Sequence, residues 1–157
     1  MSFYVAALAG VYEDSPWVAS AAWARRPFAG IDGLIEALEA AMRAAPRERV
    51  LELIAAHPEL AGREARAGEL GDASGREQAS AGLHRLSAGD ARALRELNAA
   101  YRERFGFPFV VCVREHTVAS LLAAGRDRLA HGTDEEIDVA LNEIAKIARL
   151  RLAERVR

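Results

Sequence analysis

The chain has a single cysteine, Cys112, so it cannot form an internal disulfide, and this suits a reducing compartment. Aromatic residues are scarce, at 6%. Lysine is almost missing: of the 21 basic residues, 20 are arginine and one is lysine. These bases are scattered along the chain and the formal net charge is −2. A nucleic-acid binder would carry a basic surplus or a dense cluster, so that class is excluded as a partner. No apolar run approaches the roughly 20 residues needed to span a bilayer, so no membrane partner is expected. The N-terminal stretch lacks a basic region and carries Glu13 and Asp14 early, unlike a signal peptide, and the final ERVR is not a peroxisomal address. These absences lead to the expectation of a soluble, cytoplasmic protein.

What is present is an ordinary globular balance of 51% hydrophobic and 28% charged residues over 157 positions, so residues 1–157 are expected to form one domain. Alanine is 34 of the 157. That abundance, with few aromatics, favours helices packed through small side chains over a β-sandwich or barrel. Ser15-Pro16 reads as an N-cap and first helical residue, with the helix ending near Arg25, ahead of Pro27. Asp32 is positioned to cap a helix to about Ala44, and Pro46 opens another that stops at His57, because Pro58 disfavours the α conformation before it. Residues 59–73 carry Gly62, Gly68 and Gly71 with no sustained period, a connection long enough to suggest function. Ser74 with Glu77, and Thr133 with Glu136, have the spacing of capping boxes. Ser87 or Asp90 starts a long helix closed by Gly106, and Thr117 starts one to about Leu129. FPFVVCV at 107–113 reads as extended and buried. The expected fold is all-α, a compact domain of about eight helices.

Three features carry candidate chemistry. His57 sits where a helix breaks into the glycine-bearing stretch. The helix C-terminus favours its protonated form, so it serves equally well as a proton-transfer group or as a cap for terminal carbonyls. Ser74 and Glu77 are explained by a capping box alone, but Gln78 is not, and a helix N-terminus suits an anionic or carbonyl-rich ligand. On the last helix, Ile137, Leu141, Ile144, Ile147 and Ala148 form one stripe. At 100° per residue Arg151 falls inside it and Arg149 outside. An inward arginine needs a partner, either an internal carboxylate or a ligand. The four histidines show no metal-ligand spacing, so no metal site is expected, and Cys112 within its apolar run reads as a small hydrophobe.

Four segments then coincide with one family: GVYEDSPW at 10–17, AAHPELAG at 55–62, SGREQASAGL at 74–83 and LNAAYRERFGFPFVVCVR at 97–114. With IARLRL at 147–152, they resemble the 2-oxo-4-hydroxy-4-carboxy-5-ureidoimidazoline (OHCU) decarboxylases, in order and over almost the whole chain. The resemblance implies an all-α homodimer without metal or organic cofactor. It would convert a small-molecule substrate to (S)-allantoin, after urate oxidase and hydroxyisourate hydrolase in urate degradation. His57 matches the family's catalytic histidine, and Glu77 is the second catalytic candidate, placed to accept ureido N–H groups. Pro58, then Ser74, Gly75, Arg76, Glu77 and Gln78, then Phe109, Val110, Val111, Cys112 and Val113 match substrate-binding stretches, and Arg151 matches a ligand-contacting arginine. The alternative functions are a non-catalytic helical module binding a ureido ligand, or a decarboxylase of a related ureido substrate.

Overall fold

A computed structural model of the chain describes residues 1–62 and 72–156. Among the described residues helix dominates: there are eight α-helices and no named strand, with one isolated bridge between Ala9 and Tyr12. The chain divides into two compact units, one of Met1–Ala56 with the chain from Ala145 onward, the other of His57–Ile144.

The first unit holds α1 (Ser2–Ala7), α2 (Trp17–Ala22), α3 (Gly30–Arg43), α4 (Arg47–Ala55) and the later residues of α8 (Thr133–Arg155). Helix α2 buries Val18, Ala19 and Ala22, and α3 buries Ala37, Leu38, Ala41 and Met42. These two helices pack on each other. Alanine at four of those seven positions lets the helices pack through small side chains, as the composition led one to expect. Helix α2 tightens into a 3₁₀ turn, Trp23–Arg25, ending where the sequence placed its end. The expected cap at Asp32 is not found: α3 begins at Gly30, so Asp32 lies in its first turn, where a carboxylate still complements the helix dipole. Arg155 donates to the carbonyls of Ala7 (2.7 Å) and Ala9, tying the start of the chain to its end.

The second unit contains α5 (Asp72–Ser80), α6 (Ala88–Phe105), α7 (Val118–Arg128) and the first residues of α8. Both ends of α6 form as read: Ser87 Oγ accepts from the Asp90 amide at 3.1 Å, and Gly106 closes the helix at φ +79°, a conformation glycine adopts without strain. The chain then runs through 107–112 without helix or strand, with Cys112 extended, and enters a 3₁₀ turn at Val113, one residue earlier than expected. Phe105, Phe107 and Phe109 gather around Tyr101, with ring centroids 4.7, 5.8 and 5.4 Å from it. Helices α6 and α7 pack together. A Cβ on Gly125 would stand 2.3 Å from Leu97 Cδ2, so glycine sets that close approach. Thr117 caps α7 in a reciprocal box with Ser120.

Both capping boxes expected from spacing give way to other arrangements. Helix α5 covers Asp72–Ser80, so Ser74 lies inside it rather than ahead of it. Helix α8 starts at Thr133, and Glu136 turns its carboxylate onto Arg128, Tyr101 and His131. A buried charge-assisted contact outcompetes an exposed cap. Of the 59–73 connection, Asp72 and Ala73 are helical and 63–71 lies outside the described residues.

Candidate active site

Helix α4 ends at Ala55, and the ring of Pro58 prevents it from continuing through His57. The chain turns over 59–62, where the Gly62 amide donates to Glu59 O at 3.1 Å. A Cβ on Gly62 would meet Glu59 Cβ at 2.7 Å, so the turn needs glycine there. Two helices hold this turn. Gln78 Oε1 on α5 accepts from the Ala61 amide at 2.9 Å. From α6, Asn98 Nδ2 donates to Leu60 O at 3.0 Å and Arg102 pairs with Glu59 at 3.1 Å. His57, three residues before Leu60, is therefore carried on a braced segment and is itself buried.

Ser74, Glu77 and Gln78 occupy i, i+3 and i+4 of α5 and are all buried. Glycine and serine make α5 a weak helix former and its apolar content is low, so its buried face is polar. The other two α5 residues expected to bind substrate divide differently: Gly75 is half-buried and Arg76 is exposed. Pro58 is half-buried beside His57. Helix α5 packs against the 3₁₀ turn Val113–Glu115, which follows directly on residues 109–112. The side chains of Phe109, Val110, Val111, Cys112 and Val113 are all buried, so the stretch contributes to the core by its side chains. The structure thus brings together the 57–62 turn, the buried face of α5 and the 109–113 stretch in one unit.

Arg151 is placed in the first unit. The helical stripe correctly turned it inward and Arg149 outward: Arg151 is 4% exposed, whereas the Arg149 side chain is 55% exposed and pairs with Glu39 at 3.2 Å. Arg151 donates to Glu13 Oε2 at 2.8 Å and to Gly10 O at 3.1 Å. An internal carboxylate is thus one of its partners.

Sequence reasoning missed a buried cluster built on Arg128. Its Nε donates to Glu136 Oε1 at 2.5 Å and its Nη1 to Val110 O at 2.6 Å. The Tyr101 hydroxyl also donates to Glu136, and burial, then this hydrogen bond, push the phenol pKa above its ordinary range. The signal was available. Leu121, Leu122, Gly125 and Arg128 form one buried stripe on α7, and the spacing argument applied to Arg151 finds Arg128 equally well.

The OHCU decarboxylase family profile matches residues 2–153. The chain is 45% identical over 152 residues to the 2-oxo-4-hydroxy-4-carboxy-5-ureidoimidazoline decarboxylase of Haloferax volcanii, covering 97% of this chain and 88% of that protein. It is 37% identical to the uric acid degradation bifunctional protein PucL of Bacillus subtilis, covering 94% of this chain and 29% of that longer protein. Among solved structures, an OHCU decarboxylase crystallised in the presence of (S)-allantoin superposes with a TM-score of 0.72 at 26% identity, covering 92% of this chain and 93% of that one. A match over nearly every residue, in sequence and in fold, makes this chain a member of the OHCU decarboxylase family.

Proposed function

We propose that this enzyme decarboxylates 2-oxo-4-hydroxy-4-carboxy-5-ureidoimidazoline to (S)-allantoin. The observation that carries this reading is the buried polar face of Ser74, Glu77 and Gln78, joined through Gln78 to the turn that follows His57. Family membership supplies the substrate class, and the geometry supports the division of labour. The substrate carboxylate sits on a carbon that also bears a hydroxyl, next to a ring C=N. As the C–C bond to the carboxylate breaks, CO₂ leaves and its electron pair forms a ring C=C, with the imine nitrogen accepting the displaced pair. That nitrogen takes up a proton; the resulting enol then loses its hydroxyl proton and gains one proton at the ring carbon bearing the ureido group, giving neutral allantoin. The imine acts as the electron sink, so the reaction needs no metal or organic cofactor.

The protein's task is then to orient a flat polar ring, stabilise spreading charge and deliver one proton to one face. In this reading His57 transfers the proton and Pro58 shapes the floor beside it. Glu77 accepts ureido N–H groups, Ser74 and Gln78 complete the polar face, and Gly75 and Arg76 border it. Amides of Phe109, Val110, Val111, Cys112 and Val113 hold ring carbonyls, and Arg151 grips an oxygen on which charge grows. We further place the enzyme in the cytoplasm as a homodimer, acting after urate oxidase and hydroxyisourate hydrolase; no described helix is long and apolar enough to cross a membrane. The test is to generate the substrate from urate with those two enzymes, add this protein and follow circular dichroism. An enzyme yields optically active (S)-allantoin faster than the spontaneous decay to racemate, and a racemic product at the spontaneous rate would refute the proposal.

A further inference from the structure

Residues 109–113 have no strand partner among the described residues, yet a binding backbone must be held to within a fraction of an ångström. The turn amides of Glu115 and His116 hold the end of this one, at the carbonyls of Cys112 and Val113, and Arg128 holds its middle. Its Nη1 donates to Val110 O at 2.6 Å, and its guanidinium carbon lies 4.8 Å from the centre of the Phe109 ring. One side chain therefore grips both the backbone and a ring of the stretch. The guanidinium is itself held: Glu136, wholly buried, accepts from Arg128 Nε at 2.5 Å and from the Tyr101 hydroxyl, while His131 Nδ1 stands 2.9 Å from its second oxygen. A planar fork clamped between a carboxylate and a carbonyl fixes where that carbonyl sits. A buried ion pair is a poor source of stability, since desolvation consumes most of the Coulombic gain, so its presence here calls for another explanation.

We infer that Arg128 is a positioning residue for the substrate-binding stretch, with Glu136 and Tyr101 as its anchors. Its contact with Val110 O sets the register of the neighbouring amides against the substrate ring. The inference rests on the proposed function, because it assigns a role to a stretch which that reading uses.

The experiment compares wild type, Arg128→Lys and Ile144→Val, the last a mild core truncation in the same unit. Lysine keeps the charge beside Glu136 but cannot also hold Val110 O with a planar fork. All are assayed well below their melting temperatures, in the coupled reaction from urate, with kcat/KM expressed per folded molecule. The Kd for (S)-allantoin is measured separately. Arg128→Lys is expected to lose about 10-fold or more in kcat/KM and to bind (S)-allantoin correspondingly more weakly, as misplaced groups do. Ile144→Val should match wild type in both. Should Arg128→Lys not fold, Arg128→Gln with Glu136→Gln removes both charges together, and the same losses are expected. Folded Arg128 variants with wild-type kcat/KM and Kd would overturn the inference alone, as would failure of both to fold, which would make the cluster purely structural. A wild-type chain that neither turns over nor binds (S)-allantoin would overturn the proposed function and this inference with it.

Discussion

Glu77 separates a structural role from a chemical one. Its spacing from Ser74 is that of a capping box, but α5 starts at Asp72, so neither residue stands where a cap must stand. Glu77→Gln preserves the shape and the helix and removes only the charge. It should lower kcat/KM at least 10-fold while moving the melting temperature by no more than a few degrees, read by coupled kinetics and thermal denaturation; unchanged kinetics would remove Glu77 from the site. Arg151 presents the reverse problem, since its contacts with Glu13 and Gly10 O give it a structural reason to be buried. Lysine at 151 cannot reproduce two directed N–H bonds. Arg151→Lys should cost about 1–3 kcal/mol of stability through the weakened buried contacts. If Arg151 also grips substrate, kcat/KM per folded molecule falls too; if it is only an ion pair, that ratio stays at the wild-type value. Arg149→Lys, at an exposed pair worth about 0–1 kcal/mol, should be silent in both measurements.

The elements show why part of the fold was readable and part was not. Helix α6 was legible at both ends because Ser87 and Gly106 act through their own backbone neighbourhood. The non-helical character of 107–112 was legible because Pro108 and a β-branched run leave the helix few options, whereas the 3₁₀ turn that begins at Val113 was not. Asp32, Ser74 and Thr133 misled because cap motifs specify only a spacing, whereas the helix start follows from partners distant in sequence. Glu136 is the clearest case: its partners Tyr101 and Arg128 are 35 and 8 residues away. The helix break at His57 was legible from Pro58, and the inward turn of Arg151 from its stripe. The bond from Gln78 to Ala61 was not, since it spans residues whose path no local pattern sets. Close packing of α6 on α7 gives an element-scale prediction. Gly125→Ala gains about 1 kcal/mol of helix propensity but drives a methyl against buried Leu97. Overpacking of this kind costs about 1–3 kcal/mol, so the net effect should be a lowered melting temperature. A raised one would show that Leu97 moves aside freely.

At the scale of the whole molecule, each compact unit buries a tyrosine whose phenol is pushed above its ordinary range. For Tyr12 the causes are burial and then Glu39; for Tyr101 they are burial and then the bond to Glu136. The folded state therefore keeps these protons where the unfolded chain releases them. Their contribution is complete below the ordinary phenol value of 10.0 and is lost as pH rises above it. Stability should fall by up to about 1.4 kcal/mol per pH unit for each phenol, and thermal melts from pH 9 to 11 should show a steeper decline in wild type than in Tyr12→Phe with Tyr101→Phe. Equal slopes would contradict the assignment. The central claim, however, is that a single buried imidazole on a braced turn carries the proton transfer. It is tested most directly by assaying His57→Asn beside wild type on substrate generated from urate, with circular dichroism reporting both fold and product. The account predicts a folded variant that forms (S)-allantoin roughly 10²–10⁴-fold more slowly, the usual consequence of losing a general acid or base. A folded His57→Asn that makes (S)-allantoin at the wild-type rate would contradict it.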